Sequence, residues 1–233
     1  MTMTAFDPSL RHSASATLAM LLADSRLPAG AHVSSNSLEA GLRCGLGPDE
    51  VVDYMCTRME TVTRVEAGTA VITRHSALDR SGSAAGLEAL EAEWAARTPS
   101  AALREITVAL GAGLARIGTS LWPQTNEVLR GRHMPRPIVL GVIAAFAGIS
   151  ADDLVRLVAY DDAQTVAAAM LKLEPTDPIR VTGWVLDACA AMEVYVADLS
   201  MLTHPVALPA AGAPLIEDWA EAQSALPRRL FRA

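Results

Sequence analysis

The chain of 233 residues is long enough for one large domain or two small ones, and its 51% hydrophobic residues suffice for a substantial core. Only 4% of the residues are aromatic, so the core must be built from alanine, leucine, valine and methionine, which favours helices over sheets. The net charge of −7 and the lack of a long basic cluster argue against nucleic-acid binding.

The sequence carries no signal for export or for membrane insertion. Its first residues lack the basic and apolar regions of a signal peptide. The longest uninterrupted apolar run, over 138–149, has 12 residues, and a membrane-spanning helix needs roughly 20. The three cysteines share no CxxC spacing and are interpreted as reduced thiols. We therefore expect a soluble cytoplasmic protein.

The opening segment, residues 21–41, combines a helix end, a proline corner and a new helix start. A first helix is predicted over Ser13–Ala23, and it should end by Leu27, because a residue that precedes proline is disfavoured in the α region. Asn36 fits the N-cap of the next helix, and Glu39 is placed to bond back to it in a capping box. This segment contains no nucleophile, metal-ligand spacing or phosphate loop, so it indicates a structural role.

Apolar residues recur at helical spacing along the rest of the chain. Helices are predicted over 48–78, with a break near Gly68, and over 87–96, 103–121, 138–147, 150–173, 181–202 and 215–226. The helix over 138–147 is apolar all round and should be central and buried. Gly111 and Gly113 lie inside one of them, where glycine costs about 1 kcal/mol relative to alanine, so a neighbouring helix should approach closely. Residues 79–86, rich in glycine and serine, are the segment most typical of a flexible linker. A division into two domains at this segment is the alternative to a single core. The sequence predicts an all-α, single-domain bundle of about ten helices, covering residues 1–233, with a flexible C-terminal tail.

Motifs for catalysis are missing or have a structural interpretation. Lys172 is the only lysine and lies outside any GxxxxGK[ST] loop, which excludes a P-loop hydrolase. Asp152 and Asp153 fit the acidic first turn of a helix, while Asp161 and Asp162 are interpreted as a solvated face or helix break rather than as a metal or partner site. No histidine pair has the i, i+4 spacing of a helical zinc site. A dispersed Ser-His-Asp triad stays open, although no GxSxG motif supports it. We expect no enzymatic activity, no catalytic residues, no bound metal and no cofactor.

The C-terminal tail, residues 227–233, mixes two large apolar residues with three arginines. One interpretation is a disordered or loosely docked terminus. The other is a segment that docks on a partner, with Leu230 and Phe231 as anchors and Arg228, Arg229 and Arg232 as rim contacts.

The opening segment and the tail together resemble the urease accessory protein F family. Its members begin with a pattern close to LLQLADSxLPxGGFxHSxGLE and end with RLFRS. The matching positions are Leu21, Leu22, Ala23, Asp24, Ser25, Leu27, Pro28, Gly30, Leu38 and Glu39, with Arg229, Leu230, Phe231 and Arg232 at the other end. The chain departs from the pattern at Ala31, Ser34, Asn36, Ser37 and Ala233.

The resemblance implies a non-enzymatic, all-helical homodimer that works in urease maturation. Such a scaffold bridges the D- or H-type accessory protein and the nickel-carrying G-type GTPase, and it couples GTP hydrolysis to nickel insertion into apo-urease, with nickel in transit at most. The resemblance assigns partner binding to Arg228, Arg229, Leu230, Phe231 and Arg232, and the shaping of an interaction surface to Asp24, Ser25, Pro28, Gly30 and Glu39. The alternative is a helical domain that binds a small molecule or regulates without catalysis.

Overall fold

The structure is a computed structural model, and it describes residues 11–24, 27, 33–79 and 84–231, without the side chains of residues 11–14, 84 and 85. All regular structure in these ranges is helical, which confirms the predicted all-α fold. The α-helices are α1 (Arg11–Ala23), α2 (Leu38–Arg43), α3 (Val51–Glu60), α4 (Val62–Leu78), α5 (Ala84–Ala96), α6 (Ala101–Leu121), α7 (Gln124–Leu129), α8 (Arg136–Ala147), α9 (Ala151–Leu173), α10 (Pro178–Ser200) and α11 (Pro214–Ala225). Short 3-10 helices, Pro48–Glu50 and Pro205–Ala207, precede α3 and α11. Within the described ranges, none of the helices has the length and hydropathy that crossing a bilayer requires.

Helix α8 lies at the centre of the bundle because it is apolar on every side. Its residues 137–145 are all buried, and α4 and α6 pack against it. Gly141 allows the close contact with α4, because a β-carbon at this position would lie 2.3 Å from the carbonyl oxygen of Ala70. The predicted central, buried helix is therefore confirmed.

A single core spans both sides of the linker at residues 79–86. Helix α4 precedes the linker, and it packs against α8 and α9, which follow it. Met55 of α3 and Met170 of α9 belong to the same buried cluster. The two-domain alternative is therefore wrong, since each half completes the core of the other.

Side-chain caps fix the starts of the three longest helices. Ser100 caps α6 and Asp177 caps α10, while the Ser150 hydroxyl accepts a hydrogen bond from the amide of Asp153 at 3.1 Å. The predicted start of α9 is thus confirmed. The Ser15 hydroxyl also donates to the Asp153 carboxylate at 2.6 Å, which attaches α1 to the start of α9.

The break that was expected near Gly68 lies at Thr61, between α3 and α4. Gly68 is inside the continuous helix α4, where an added β-carbon would lie 3.0 Å from Leu208 and 3.2 Å from Leu202. This glycine therefore makes room for the segment after α10, which packs across α4, and it does not end the helix.

The close approach expected at Gly111 is present, but the neighbour differs from the expectation. A β-carbon on Gly111 would lie 2.0 Å from the carbonyl oxygen of Met134, in the segment that leads into α8 rather than in a helix. Helix α7 was not predicted, because six residues are too few for helical periodicity to be recognised.

Candidate functional site

The two segments that carry the family resemblance meet at the carboxylate of Glu39. This side chain is 1% exposed, at the start of α2. Its oxygens accept hydrogen bonds from the amides of Leu230 at 2.9 and 3.0 Å and of Phe231 at 3.0 Å. Arg43 and Gln223 donate to the same carboxylate at 2.8 and 3.3 Å. Glu39 therefore binds the tail, and the capping box expected with Asn36 is not formed.

The tail is seated on its own chain through Phe231. Phe231 is 3% exposed, and the Lys172 ammonium lies 5.2 Å from the centre of its ring. The backbone carbonyl of Phe231 accepts a hydrogen bond from the Gln223 side chain at 3.2 Å. Arg229 donates to the carbonyl of Gln223 at 2.9 Å. In the structure Phe231 packs on its own chain, and its predicted role as a partner anchor stays a prediction. Leu230 is 62% exposed and stays available at the surface.

The hydrogen bonds at Glu39 change its pKa. Burial alone would raise this pKa, but the amides of Phe231 and Leu230, with Gln223 and Arg43, outweigh it, and the pKa lies below its usual range. Because the folded-state pKa is depressed, the stabilisation by Glu39 is present above its unfolded pKa and is lost as the pH falls through the folded one. The tail is therefore held by a carboxylate that is ionised at neutral pH.

Asn36 and Ser37, two of the departures from the family pattern, both adopt left-handed backbone conformations, with φ of 50° and 70°. Such conformations favour glycine, although asparagine tolerates them better than most residues. Here Asn36 is held from both sides. Its side-chain amide nitrogen donates to the Asp162 carboxylate at 2.8 Å. Its backbone carbonyl accepts hydrogen bonds from the Tyr54 hydroxyl and, at 3.3 Å, from the Arg58 guanidinium. These contacts secure the turn that positions Glu39.

Asp162 belongs to a buried ion pair beneath this turn. Arg58 of α3 donates to its two carboxylate oxygens at 2.9 and 2.5 Å, and both side chains are almost fully buried. Its neighbour Asp161 pairs with Arg136 of α8 at 2.9 Å. Both aspartates lie within the uninterrupted helix α9. The interpretation of Asp161 and Asp162 as a solvated face or helix break is therefore wrong, because α9 is continuous and both aspartates are paired with arginines, Asp162 in the interior and Asp161 in a mostly buried position.

A cavity of about 520 Å³ opens above these ion pairs. Its lining includes Arg58, Glu66, Arg136, Asp161 and Asp162. The pKa of Glu66 is raised to about 7, because burial and the charge of Asp162 outweigh the opposing effect of Arg136 and Arg58. Burial likewise raises the pKa of Asp161. The cavity therefore combines permanent charges with a carboxyl group that titrates near neutral pH.

We expect Glu66→Gln to reduce the dependence of stability on pH. A raised folded-state pKa means that the stabilisation is complete below the unfolded pKa of Glu66 and is lost as the pH rises through about 7. Between pH 5 and 8 the wild type should lose about 2 kcal/mol more than the variant in its free energy of unfolding, as measured by urea denaturation. Glu105→Gln, which alters an exposed glutamate on the cavity rim, should behave as wild type. Parallel pH profiles for wild type and Glu66→Gln would contradict this assignment.

The remaining residues singled out in the sequence are placed as follows. Asp24 ends the first helix, where its carbonyl accepts from the amide of Leu27 at 2.8 Å, and it lines a narrow crevice together with Lys172 and Phe231. Arg228 and Arg229 are exposed. Ser25, Pro28, Gly30 and Arg232 lie outside the described residues. Among those that are described, no group of three or more histidine, cysteine, aspartate or glutamate side chains is placed to hold a metal ion.

Sequence patterns did not reveal Arg58, Glu66 and Arg136 as members of this cluster. A signal was available at Arg58, because it follows Tyr54 and Met55 on the apolar, buried face of α3. A charged residue on an apolar helix face needs a partner of opposite charge, and Asp162 is the one that the fold supplies.

Comparisons with known proteins identify the family of the chain. The family model for UreF matches residues 47–189, more than half of the chain. A urease accessory protein UreF from Mycobacterium marinum is 31% identical over 195 residues, covering 79% of this chain and 89% of its own. The protein of the same name from Mycolicibacterium vanbaalenii is 35% identical over 175 residues, covering 73% and 79%. That from Mycobacterium tuberculosis is 28% identical over 165 residues, covering 70% and 75%. The chain therefore belongs to the UreF family.

Proposed function

We propose that this chain is a non-catalytic scaffold for urease maturation in the cytoplasm. It bridges the D- or H-type accessory protein and the nickel-carrying G-type GTPase, and as a homodimer it modulates GTP hydrolysis during nickel insertion into apo-urease. Nickel is at most in transit, so the chain needs no resident cofactor. Family membership and the urease accessory role named for the relatives support this proposal.

The observation that carries the proposal is the junction of the opening segment and the tail at Glu39. The Glu39 carboxylate holds the amides of Leu230 and Phe231, which fixes a backbone that would otherwise lose conformational entropy on binding. Leu230 is left exposed beside Arg228 and Arg229. A preorganised apolar side chain with an arginine rim is typical of an interface anchor. We assign partner docking to this surface, with Phe231 as its internal support.

Co-expression tests the bridging role. Together with the D- or H-type protein and the G-type GTPase, the chain should elute as one complex in size-exclusion chromatography, and its addition should change the rate of GTP hydrolysis. Deleting residues 228–233 should weaken the complex. Separate elution of the three proteins would contradict the proposal.

A single substitution distinguishes a docking surface from a structural tail. Leu230→Glu should weaken binding to the D- or H-type protein by tenfold or more, corresponding to about 1.4 kcal/mol, because it places a charge in an apolar contact. Its stability should stay near that of wild type, since this side chain is mostly exposed. Leu215→Glu changes a comparably exposed leucine of α11 and should bind normally. If both variants bind the D- or H-type protein with equal affinity, Leu230 is not part of the interface.

The cavity favours a second candidate function, the binding of a small molecule. Its volume of about 520 Å³ lies within the range of ligand pockets. Ligand pockets are mostly apolar, however, whereas four of the charged groups in this cavity are already paired with each other. If the cavity binds a metabolite, that metabolite should raise the melting temperature of the isolated chain. The bridging function predicts no such effect.

A further inference from the structure

The cavity above the buried ion pairs contains a carboxyl group whose charge no ion pair compensates. Arg58 of α3 is bound to Asp162. Arg136 of α8 is bound to Asp161. Glu66 of α4 lines the same cavity and is not completely buried, but among the described residues neither arginine forms an ion pair with it. A charged group in a protein interior needs a partner of opposite charge, so ionised Glu66 leaves one negative charge to be compensated.

An apolar face of α6 lines the cavity as well. Leu103, Ile106 and Leu110 recur in steps of three and four residues, so they lie on one side of this helix. Val62 of α4 and Val158 of α9 extend the apolar lining. Ligand sites typically combine such apolar walls with a few charged or polar groups that orient the ligand. The cavity therefore offers contacts for a carbon skeleton together with an unpaired carboxyl group.

The volume of the cavity argues for more than a bare cation. A particle of the size of a water molecule takes about 30 Å³, whereas the cavity has a volume of about 520 Å³. An inorganic ion at Glu66 would therefore leave the apolar face of α6 in contact with water. A protonated amine with a carbon chain meets both requirements. Its ammonium group supplies a positive charge and three hydrogen-bond donors, and its chain covers apolar surface.

We propose that the cavity binds a small organic amine in its protonated form, with the ammonium group paired to Glu66 and the carbon chain against the apolar face of α6. This inference rests on the second candidate function, and it names the chemical class of the ligand. The partner-docking side chain Leu230 is not among the described residues that line the cavity. A bound amine therefore leaves that side chain free.

The affinity for the amine should depend on the ionisation of Glu66. Burial raises the pKa of Glu66 to about 7 together with the charges of Asp162 and Asp161, against the effect of Arg136 and Arg58. A positive charge at this carboxyl group stabilises its ionised form and lowers its pKa. Since most of Glu66 is ionised at pH 8 and little of it at pH 6, the affinity should be about tenfold higher at pH 8.

Isothermal titration calorimetry on the isolated chain tests the site, with hexylamine as the probe. Hexylamine is protonated at pH 8, as a lysine side chain is, and it should bind. 1-Hexanol and hexanoate have chains of the same length but are neutral and negative, and each should bind at least about tenfold more weakly. Ammonium chloride supplies the charge without the chain and should also bind more weakly than hexylamine. Equal affinities for hexylamine and 1-hexanol, or for hexylamine and ammonium chloride, would overturn the proposal.

Two matched variants assign the charge to its residue. Glu66→Gln should weaken hexylamine binding at pH 8 by about tenfold or more and abolish the difference between pH 6 and pH 8. Glu127→Gln removes the same charge from an exposed position on α7 and should bind as wild type does.

Wild type itself decides the outcome if Glu66→Gln does not fold, because equal affinities at pH 6 and pH 8 would overturn the role of Glu66. Unchanged binding in a folded Glu66→Gln would overturn it as well. Either failure leaves the co-expression result unaffected, since the titration uses the isolated chain. The bridging function can therefore stand or fall independently of the amine site.

Discussion

Replacing Asp162 with alanine is expected to lower the free energy of unfolding by about 3–5 kcal/mol. The substitution leaves the Arg58 guanidinium buried without the carboxylate that accepts its hydrogen bonds at 2.9 and 2.5 Å. It also removes the carboxylate oxygen that accepts a hydrogen bond from the Asn36 side-chain amide at 2.8 Å, and this hydrogen bond holds the turn before α2. Urea denaturation followed by circular dichroism measures the effect.

The matched control is an ion pair with similar geometry at the surface. Arg156 donates to Glu193 at 3.0 and 2.5 Å, but both side chains are about half exposed. Glu193→Ala should therefore cost about 1 kcal/mol or less. The double variant Arg58→Met/Asp162→Leu should recover part of the loss, because no unpaired arginine is left. If Asp162→Ala and Glu193→Ala lower the free energy of unfolding equally, burial does not make the Arg58–Asp162 pair more important than a surface pair.

Glu39→Ala is expected to release the tail and to lower the free energy of unfolding by about 2–4 kcal/mol. A hydrogen bond to a charged group contributes about 1.5–3 kcal/mol, and the burial of a phenylalanine about 2 kcal/mol. Release of the tail offsets part of this loss, because each residue that becomes free regains about 1–2 kcal/mol of conformational entropy. The variant loses the bonds to the amides of Leu230 and Phe231, and with them the seat of the Phe231 ring. Trypsin should cleave after Arg229 faster than in wild type, and binding of the D- or H-type protein should weaken.

Glu50→Ala is the control for the loss of a glutamate at a helix start. Glu50 also accepts a hydrogen bond from a backbone amide, that of Gly47 at 2.7 Å, but in an exposed position. Its replacement should cost about 1 kcal/mol or less. Phe231→Ala should accelerate cleavage after Arg229 without altering the carboxylate. Unchanged cleavage in Glu39→Ala would show that the tail is held by other contacts.

The sequence was sufficient wherever the deciding interactions are local. The uniformly apolar run over 138–147 predicted the buried α8, because a helix without a polar face has no side for solvent. Ser150 with Asp152 and Asp153 predicted the start of α9, since capping depends on residues three positions apart. The tail and the opening segment were recognised as informative from their residue types.

The sequence was insufficient where a local rule competed with a distant partner. Glu39 satisfies the spacing of a capping box, but its carboxylate binds amides 191 and 192 residues away. Asp162 interrupts an apolar pattern, and its arginine lies 104 residues before it. Helical periodicity describes one element at a time, so it could mark these residues as unusual but could not supply their partners.

Helix α11 already packs against α2, so the contact between Glu39 and the tail has to order only the few residues after Ala225, and this short length has a consequence for how the protein can change shape. Fixing the backbone of one residue costs about 1–2 kcal/mol. The hydrogen bonds at Glu39 and the burial of the Phe231 ring therefore suffice to hold so short a segment. Releasing it breaks no helical hydrogen bond, because residues 227–231 lie outside α11. A binding partner could thus exchange the tail between two positions while the helical core stays folded.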